Sequence, residues 1–254
     1  MKKILSFVLA VTMLTGCSVL GRINWNQAQL AQAASTALTA ASISDAQIIA
    51  LSQRTVLEQD VLNKIDNGAY AQRLARVMSG VNQVEGLPLN FKVYLKNEVN
   101  AFACGDGSIR VYSGLMDLMD DDELIAIIGH EIGHVVHQDT KRAMKNAYLT
   151  AAARGVIGAA GSVGAIASQA LGDLGEMYIS SQFSQKQEFA ADDYGFRFAI
   201  NQGHSPYSMY NALNKLVQMA GGSQYSLVQK MFSSHPDSAE RAERIKQKAD
   251  EYAK

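Results

Sequence analysis

Asp120-Asp121-Asp122-Glu123-Leu124-Ile125-Ala126-Ile127-Ile128-Gly129-His130-Glu131-Ile132-Gly133-His134-Val135 is the stretch that decides how this chain folds. Acidic residues crowd its start, where the dipole of a helix favours negative charge. Leu124, Ile127, Ile128, Ile132 and Val135 recur at helical spacing and form one apolar face. The stretch therefore reads as a helix beginning near Asp120–Asp122. On that helix His130 and His134 are one turn apart on the same side, about 6 Å from each other. Two imidazoles so placed can reach one Zn2+ at about 2.0–2.1 Å. Glu131 is rotated by about 100° from the histidine row, in reach of a water beside the ion rather than the ion itself. The chain's five histidines and ten glutamates would produce His-Glu-x-x-His by chance about 0.004 times. Two surface histidines on a solvated helix is the bland alternative. It fares badly, because the histidine row adjoins an unbroken apolar face. Gly133 costs about 1 kcal/mol against Ala in mid-helix, so another element is expected to approach its backbone closely.

A small sheet is expected just before this helix. Phe91–Leu95 alternates as a strand does, and Val99–Cys104 and Ser108–Tyr112 read as two more strands joined by Gly105-Asp106-Gly107. Further upstream, Ser44-Asp45-Ala46-Gln47 has the form of a capping box and predicts a helix to about Lys64. Another helix is expected over Tyr70–Val81. Downstream, residues 149–172 are rich in Gly and Ala and are interrupted by Arg154. A flap or a packed small-residue helix suits them better than a membrane span. A second long helix is expected over about 180–202, stopping at Gly203. Ser205-Pro206 should open the next. A short helix follows Gly221-Gly222, and His235-Pro236 leads into a charged C-terminal helix. The chain thus reads as α+β, mainly helical, with a small β-sheet beside the helix that carries the two histidines.

Composition narrows the function. The chain has 254 residues, 48% of them hydrophobic and 19% charged, which excludes overall disorder and is enough for a real core. A net charge of −1 without any Lys/Arg block argues against nucleic-acid binding. Two cysteines, Cys17 and Cys104, exclude a disulfide scaffold. Lys2 and Lys3 precede a short apolar run, Ile4–Leu14, that is too short to span a bilayer. It ends in Leu14-Thr15-Gly16-Cys17, which resembles the bacterial lipobox, so residues 1–16 are expected to be a lipoprotein signal and Cys17 the lipidated residue. Residues 17–43 would form a tether passing into a weak helix, and 44–254 the catalytic domain. Ser18 rather than Asp after the cysteine implies, by resemblance to lipoprotein sorting, the outer membrane with the domain facing the periplasm.

A catalytic zinc needs a third protein ligand and an open position. Continuing the helix motif does not supply one. Positions 137 and 140 are His and Thr, and His137 lies about 10 Å beyond His130 along the helix. Glu188 and Asp192 sit four apart on the second long helix, a like-charge pairing that a nearby cation would reverse in sign. Glu188 would ligate, and Asp192 would hydrogen-bond a ligand histidine. Asp139, Asp173 and Glu176 are weaker candidates. Outside the helices, His235 beside Pro236 reads by itself as a helix N-terminal cap with a surface histidine, though so rigid a turn could also hold an imidazole in place as a donor. Arg241 could orient this turn or the acidic pair.

These residues resemble the HtpX and CAAX-prenyl-protease-like zinc metallopeptidases, metallopeptidase family 48, and within them the LoiP-type outer-membrane lipoproteins. The likeness rests on Asn100-Ala101-Phe102-Ala103, Val111-Tyr112-Ser113-Gly114-Leu115 and His130–His134. It extends to Gln182-Phe183-Ser184 with Glu188 and Asp192, and to Ser234-His235-Pro236 with Arg241. It implies a zincin-type (gluzincin) fold, one zinc held by His130, His134 and Glu188, and Glu131 as general base. Asp192 and Arg241 would act as supports, and His235 would be catalytic. It also implies that Asn100–Ala103 pairs with an extended substrate by β-addition, and that the substrates are unfolded or misfolded envelope proteins. Relatives often carry His where Asp139 stands, so that position inherits no role. The rival expectation is a non-catalytic envelope lipoprotein, a chaperone or scaffold with a structural zinc.

Overall fold

The computed structural model describes residues 44–153, 166, 168–223, 225–236 and 238–254. The signal, Cys17, the 17–43 tether and most of the Gly/Ala-rich stretch lie outside them. Helix α1 (Asp45–Leu62) starts as expected: the Ser44 hydroxyl accepts from the Gln47 amide, and the Gln47 side chain accepts from the Ser44 amide. Strand β1 (Ile65–Asp66), helix α2 (Ala69–Val77) and the hairpin β2 (Gln83–Val84) and β3 (Leu87–Pro88) follow. Helix α2 is shorter than the expected 70–81, because the chain turns after Met78 through Gly80 at φ 82°.

Strands β4 (Asn90–Tyr94), β5 (Ala101–Ala103) and β6 (Ser108–Tyr112) build a sheet in the order β1-β4-β6-β5. Strands β5 and β6 form the expected antiparallel hairpin. Strand β4 runs parallel to β6, a pairing that no local pattern announced. Gly107 closes the hairpin at φ 86°, and a Cβ there would lie 2.1 Å from the Pro88 carbonyl oxygen, so only glycine fits.

Side chains alternate across this sheet. Val93, Ile109, Val111, Ala101 and Ala103 enter one core; Tyr94, Tyr112, Phe102 and Cys104 enter another. Helix α3 (Ser113–Leu118) leads to α4 (Asp121–Val136), whose capping box joins Asp120 to Glu123. Helix α4 lies against the first face of the sheet, with α7 (Gln185–Asn201), α8 (Ser208–Ala220), α9 (Tyr225–Ser234) and α10 (Ser238–Tyr252) around it. On the other face α1 packs with α5 (Asp139–Ala153) and α6 (Ser168–Ile179). The fold is mainly helical with a small mixed sheet, of the zincin type.

Two expected helix starts move. The helix expected over 180–202 starts later: α6 ends at Ile179, and α7 begins at Gln185, with Ser184 as its N-cap and Gln187 closing the capping box. Ser205-Pro206 does not open a helix but forms the turn before α8, where the Ser205 hydroxyl accepts from the Tyr207 amide. Of the 149–172 stretch, the described parts are the end of α5, Ile166 and the start of α6. No helix among the described residues is long and apolar enough to cross a membrane.

Candidate metal centre

Close packing of two helices sets up the site. A Cβ on Gly133 of α4 would lie 2.9 Å from the Tyr194 Cβ and 3.1 Å from the Ala191 Cα of α7, which is the approach Gly133 predicted. Gly195 of α7 returns the contact: a Cβ there would lie 2.6 Å from the Ala126 carbonyl oxygen. The bare backbones let α7 lie directly across the histidine side of α4, which brings Glu188 and Asp192 opposite His130 and His134.

His130 Nε2 and His134 Nε2 are 3.1 Å apart. Glu188 Oε1 is 3.4 Å from His134 Nε2, and its Oε2 is 3.7 Å from His130 Nε2. His235 completes the group, with Nδ1 3.0 Å from Glu188 Oε1 and 3.3 Å from His130 Nε2. These four buried residues could hold one metal ion, each offering an atom within 4.8 Å of all the others. Glu131 faces the same space; its Oε1 is buried without a hydrogen-bond partner, 3.7 Å from His235 Nε2.

The far side of each imidazole is held by a carboxylate. Asp192 Oδ1 is 2.9 Å from His130 Nδ1, and Asp139 Oδ2 is 3.0 Å from His134 Nδ1. Burial disfavours the charge on Asp192, yet Arg241 and the His130 hydrogen bond bring its pKa down to about 2. Burial opposes the charge on Asp139 as well, but hydrogen bonds from His134 and Gln187 lower its pKa. Both are therefore ionised and can only accept, so each Nδ1 donates. The two Nε2 atoms then face each other as acceptors, a repulsive arrangement unless a cation stands between them. Burial lowers the pKa of His130, whereas Asp139 and Glu188 outweigh burial and raise that of His134 to about 9. Two imidazoles and a carboxylate are a donor set that zinc takes in peptidases. Neighbouring ligand atoms of a tetrahedral site with bonds of about 2.0–2.1 Å stand about 3.4 Å apart, close to the separations found.

Arg241 holds both acids of α7. It donates to Asp192 through Nε at 2.8 Å and Nη2 at 2.7 Å, and it pairs with Glu188 through Nη1. Glu188 is nine-tenths or more buried; burial works against its charge, but His235 and Arg241 hold its carboxyl well below the usual range. Phe183 stacks on the His134 ring at 4.0 Å between centroids.

All the residues expected at the centre come together: His130, Glu131, His134, Glu188, Asp192, His235 and Arg241. His137 stands apart, at the end of α4 with its ring edge-on to Tyr194. Asp173 and Glu176 lie on α6, outside the cluster. Asn100–Ala103 forms the end of the sheet, but β5 is buried and its Ala103 carbonyl accepts from the Tyr178 hydroxyl of α6. Asp139, only a weaker candidate by its spacing, supports His134 directly, and Phe183 and Gln187, to which no role at the centre was assigned, contact His134 and Asp139. Asp139 reaches His134 across the end of a helix, where face-spacing rules do not apply.

The sequence pattern of peptidase family M48 matches residues 67–249, and that of the prokaryotic membrane lipoprotein lipid attachment site matches residues 1–18. The chain is 42% identical over 239 residues to the metalloprotease LoiP of Escherichia coli strain K12, covering 92% of this chain and 91% of that one. It is 36% identical over 249 residues to the metalloprotease YcaL of the same strain, covering 96% of each. With the β-barrel assembly-enhancing protease of that strain it shares 31% identity over 154 residues, 57% of this chain and 31% of the other. The chain belongs to peptidase family M48 and is a metalloprotease. It carries a lipoprotein attachment site at its N-terminus.

Proposed function

We propose that this protein is a zinc endopeptidase, anchored through Cys17 in the bacterial outer membrane and facing the periplasm, that degrades unfolded or misfolded envelope proteins. Residues 1–16 act as the signal, 17–43 as the lipidated tether and 44–254 as the peptidase domain. The reading rests on one observation above the rest: His130 Nε2 and His134 Nε2 face each other at 3.1 Å beside Glu188, each ring held from behind by an ionised carboxylate. His130, His134 and Glu188 would hold the zinc, which when bound polarises the scissile carbonyl and makes water more acidic. Glu131 takes a proton from the attacking water on its free Oε1 and passes it to the leaving amine. His235 donates to the carbonyl oxygen as negative charge develops there. Asp192 fixes the His130 tautomer, and Arg241 holds Asp192 and Glu188 in place. An extended substrate pairs with Asn100–Ala103 once Tyr178 releases the Ala103 carbonyl.

The envelope substrate class is supported by the lipoprotein attachment site and by a relative whose name ties it to β-barrel assembly. A structural zinc in a scaffold protein would need no buried, unpartnered carboxylate beside its ligands, and Glu131 is one. The test is metal analysis of the purified protein together with cleavage of an unfolded protein before and after chelation. One zinc per chain and chelator-sensitive cleavage are expected. Glu131→Gln should keep the zinc and lose cleavage by several orders of magnitude, since an amide cannot take the proton. Wild-type turnover in that variant would overturn the mechanism.

A further inference from the structure

Gln138, between α4 and α5, is a non-glycine residue in the left-handed region, at φ 60°. Such a conformation costs of order 1 kcal/mol and persists where the surroundings require it. Its effect is to turn the chain sharply after His137, so that Asp139, the first residue of α5, folds back to His134. Asp139 is 1% exposed. Its Oδ2 accepts from His134 Nδ1, and its Oδ1 accepts from Gln187 Nε2 at 2.7 Å and from Arg142. Gln187 has no freedom to turn its amide over. Its Oε1 already accepts from the Ser184 amide at 2.9 Å and the Ser184 hydroxyl at 2.7 Å, in the box that starts α7. A directed series of hydrogen bonds thus runs from Ser184 through Gln187 and Asp139 to His134. It begins next to Phe183, which stacks on His134, and beside Glu188 on the same helix.

We infer that Asp139 is a positioning residue for metal binding, which fixes His134 with Nδ1 protonated and Nε2 free, and that Gln187 sets the direction of the Asp139 carboxylate. This rests on His134 being a zinc ligand, as proposed above. A merely structural role and a positioning role respond differently to Asp139→Asn, which preserves shape. Gln187 and Arg142 both donate toward Oδ1, so they draw the oxygen of the new amide to their side. Its NH2 group then faces His134 and forces the imidazole into the opposite tautomer, with Nε2 protonated. The double variant Asp139→Asn/Gln187→Glu restores complementarity, because Arg142, whose side chain is 58% exposed, can turn away to solvent while the residue at 187 cannot. The new carboxylate at 187 accepts from the amide and still forms the capping box with Ser184, and the amide oxygen returns to His134.

Zinc affinity of the metal-free chain, read by competition with a chromophoric chelator, and its melting temperature test this. Asp139→Asn should bind zinc 10–100-fold more weakly, the usual effect of losing such a partner, while the metal-free melting temperature stays within a few degrees of wild type. The double variant should regain most of the lost affinity. Wild-type affinity in Asp139→Asn overturns the proposal, and so does a double variant that stays as weak as the single one. If Asp139→Asn does not fold, the double variant decides alone: affinity within tenfold of wild type supports the proposal, and weaker binding overturns it. A wild-type protein with no zinc affinity would instead refute the metal reading itself.

Discussion

Asp192 accepts the Nδ1–H of His130 at 2.9 Å, and the same carboxylate is gripped by Arg241 through two nitrogens. The guanidinium keeps Asp192 ionised in a buried site, and the ionised acid keeps His130 in the tautomer that frees Nε2. Asp192→Ala should therefore weaken zinc binding 10–100-fold. Asp193→Ala should leave affinity within about threefold of wild type. Asp193 is one residue on but faces the other way, paired with Arg244 and Lys248. Zinc titration of both variants measures the difference, and equal affinities would remove Asp192 from the metal's support.

His235 stands at the centre of the cluster, in reach of Glu188, His130 and Glu131. A donor to the developing oxyanion acts only in the transition state. His235→Phe is thus expected to lower kcat by about 10²–10³ with little change in KM and with zinc retained. Steady-state kinetics with metal analysis decide the matter: loss of zinc would make His235 a ligand, and an unchanged kcat would leave it structural.

Gly195→Ala tests the helix contact that assembles the site. The added Cβ would meet backbone on α4, 2.6 Å from Ala126 O and 2.9 Å from His130 N, and backbone cannot swing aside as a side chain can. The variant should lose about 1–3 kcal/mol of stability, as overpacking usually does. It should also bind zinc more weakly, because α7 carries Glu188 and Asp192 away from α4. Denaturant unfolding and zinc titration report both effects; unchanged values would show that the contact is not required.

Asp60 of α1 anchors that helix to the sheet. It pairs with Arg110 at 2.8 Å and 3.0 Å, with Lys92 at 2.7 Å and with the Tyr94 hydroxyl at 2.7 Å. Asp60→Ala leaves Arg110 buried and without its carboxylate, and should cost about 3–5 kcal/mol at pH 7. Burial raises the Asp60 pKa, but these partners outweigh it and set the folded value below the ordinary one. A lowered folded pKa means that the stabilisation is complete above about pH 4 and is lost as the pH falls through the folded value. The gap between wild type and Asp60→Ala should therefore be constant near neutrality and narrow below about pH 4. Denaturant unfolding across that range would show it, and a gap independent of pH would exclude an ionic origin.

Whatever periodicity within one element can carry was legible in the order of the residues. The α4 helix, its acidic start, the His130–Glu131–His134 arrangement and the Glu188–Asp192 pair follow from residues one turn apart on a helix. Gly133 announced a close neighbour because glycine is costly in mid-helix without one. The β5–β6 hairpin was legible in its glycine turn. Helix starts were less so: Ser205-Pro206 has the composition of a helix start, yet its bonds close a turn instead. The rest depends on contacts between elements far apart in the chain. The parallel pairing of β4 with β6, the Asp60–Arg110 anchor and the stacking of Phe183 on His134 join residues from separate elements, and their partners are chosen by packing. Asp139 stands only five residues from His134, but the left-handed turn at Gln138 takes it off the helical path. Spacing rules hold while the backbone repeats its dihedral angles, and where it breaks that repeat, the surrounding fold decides what each side chain meets.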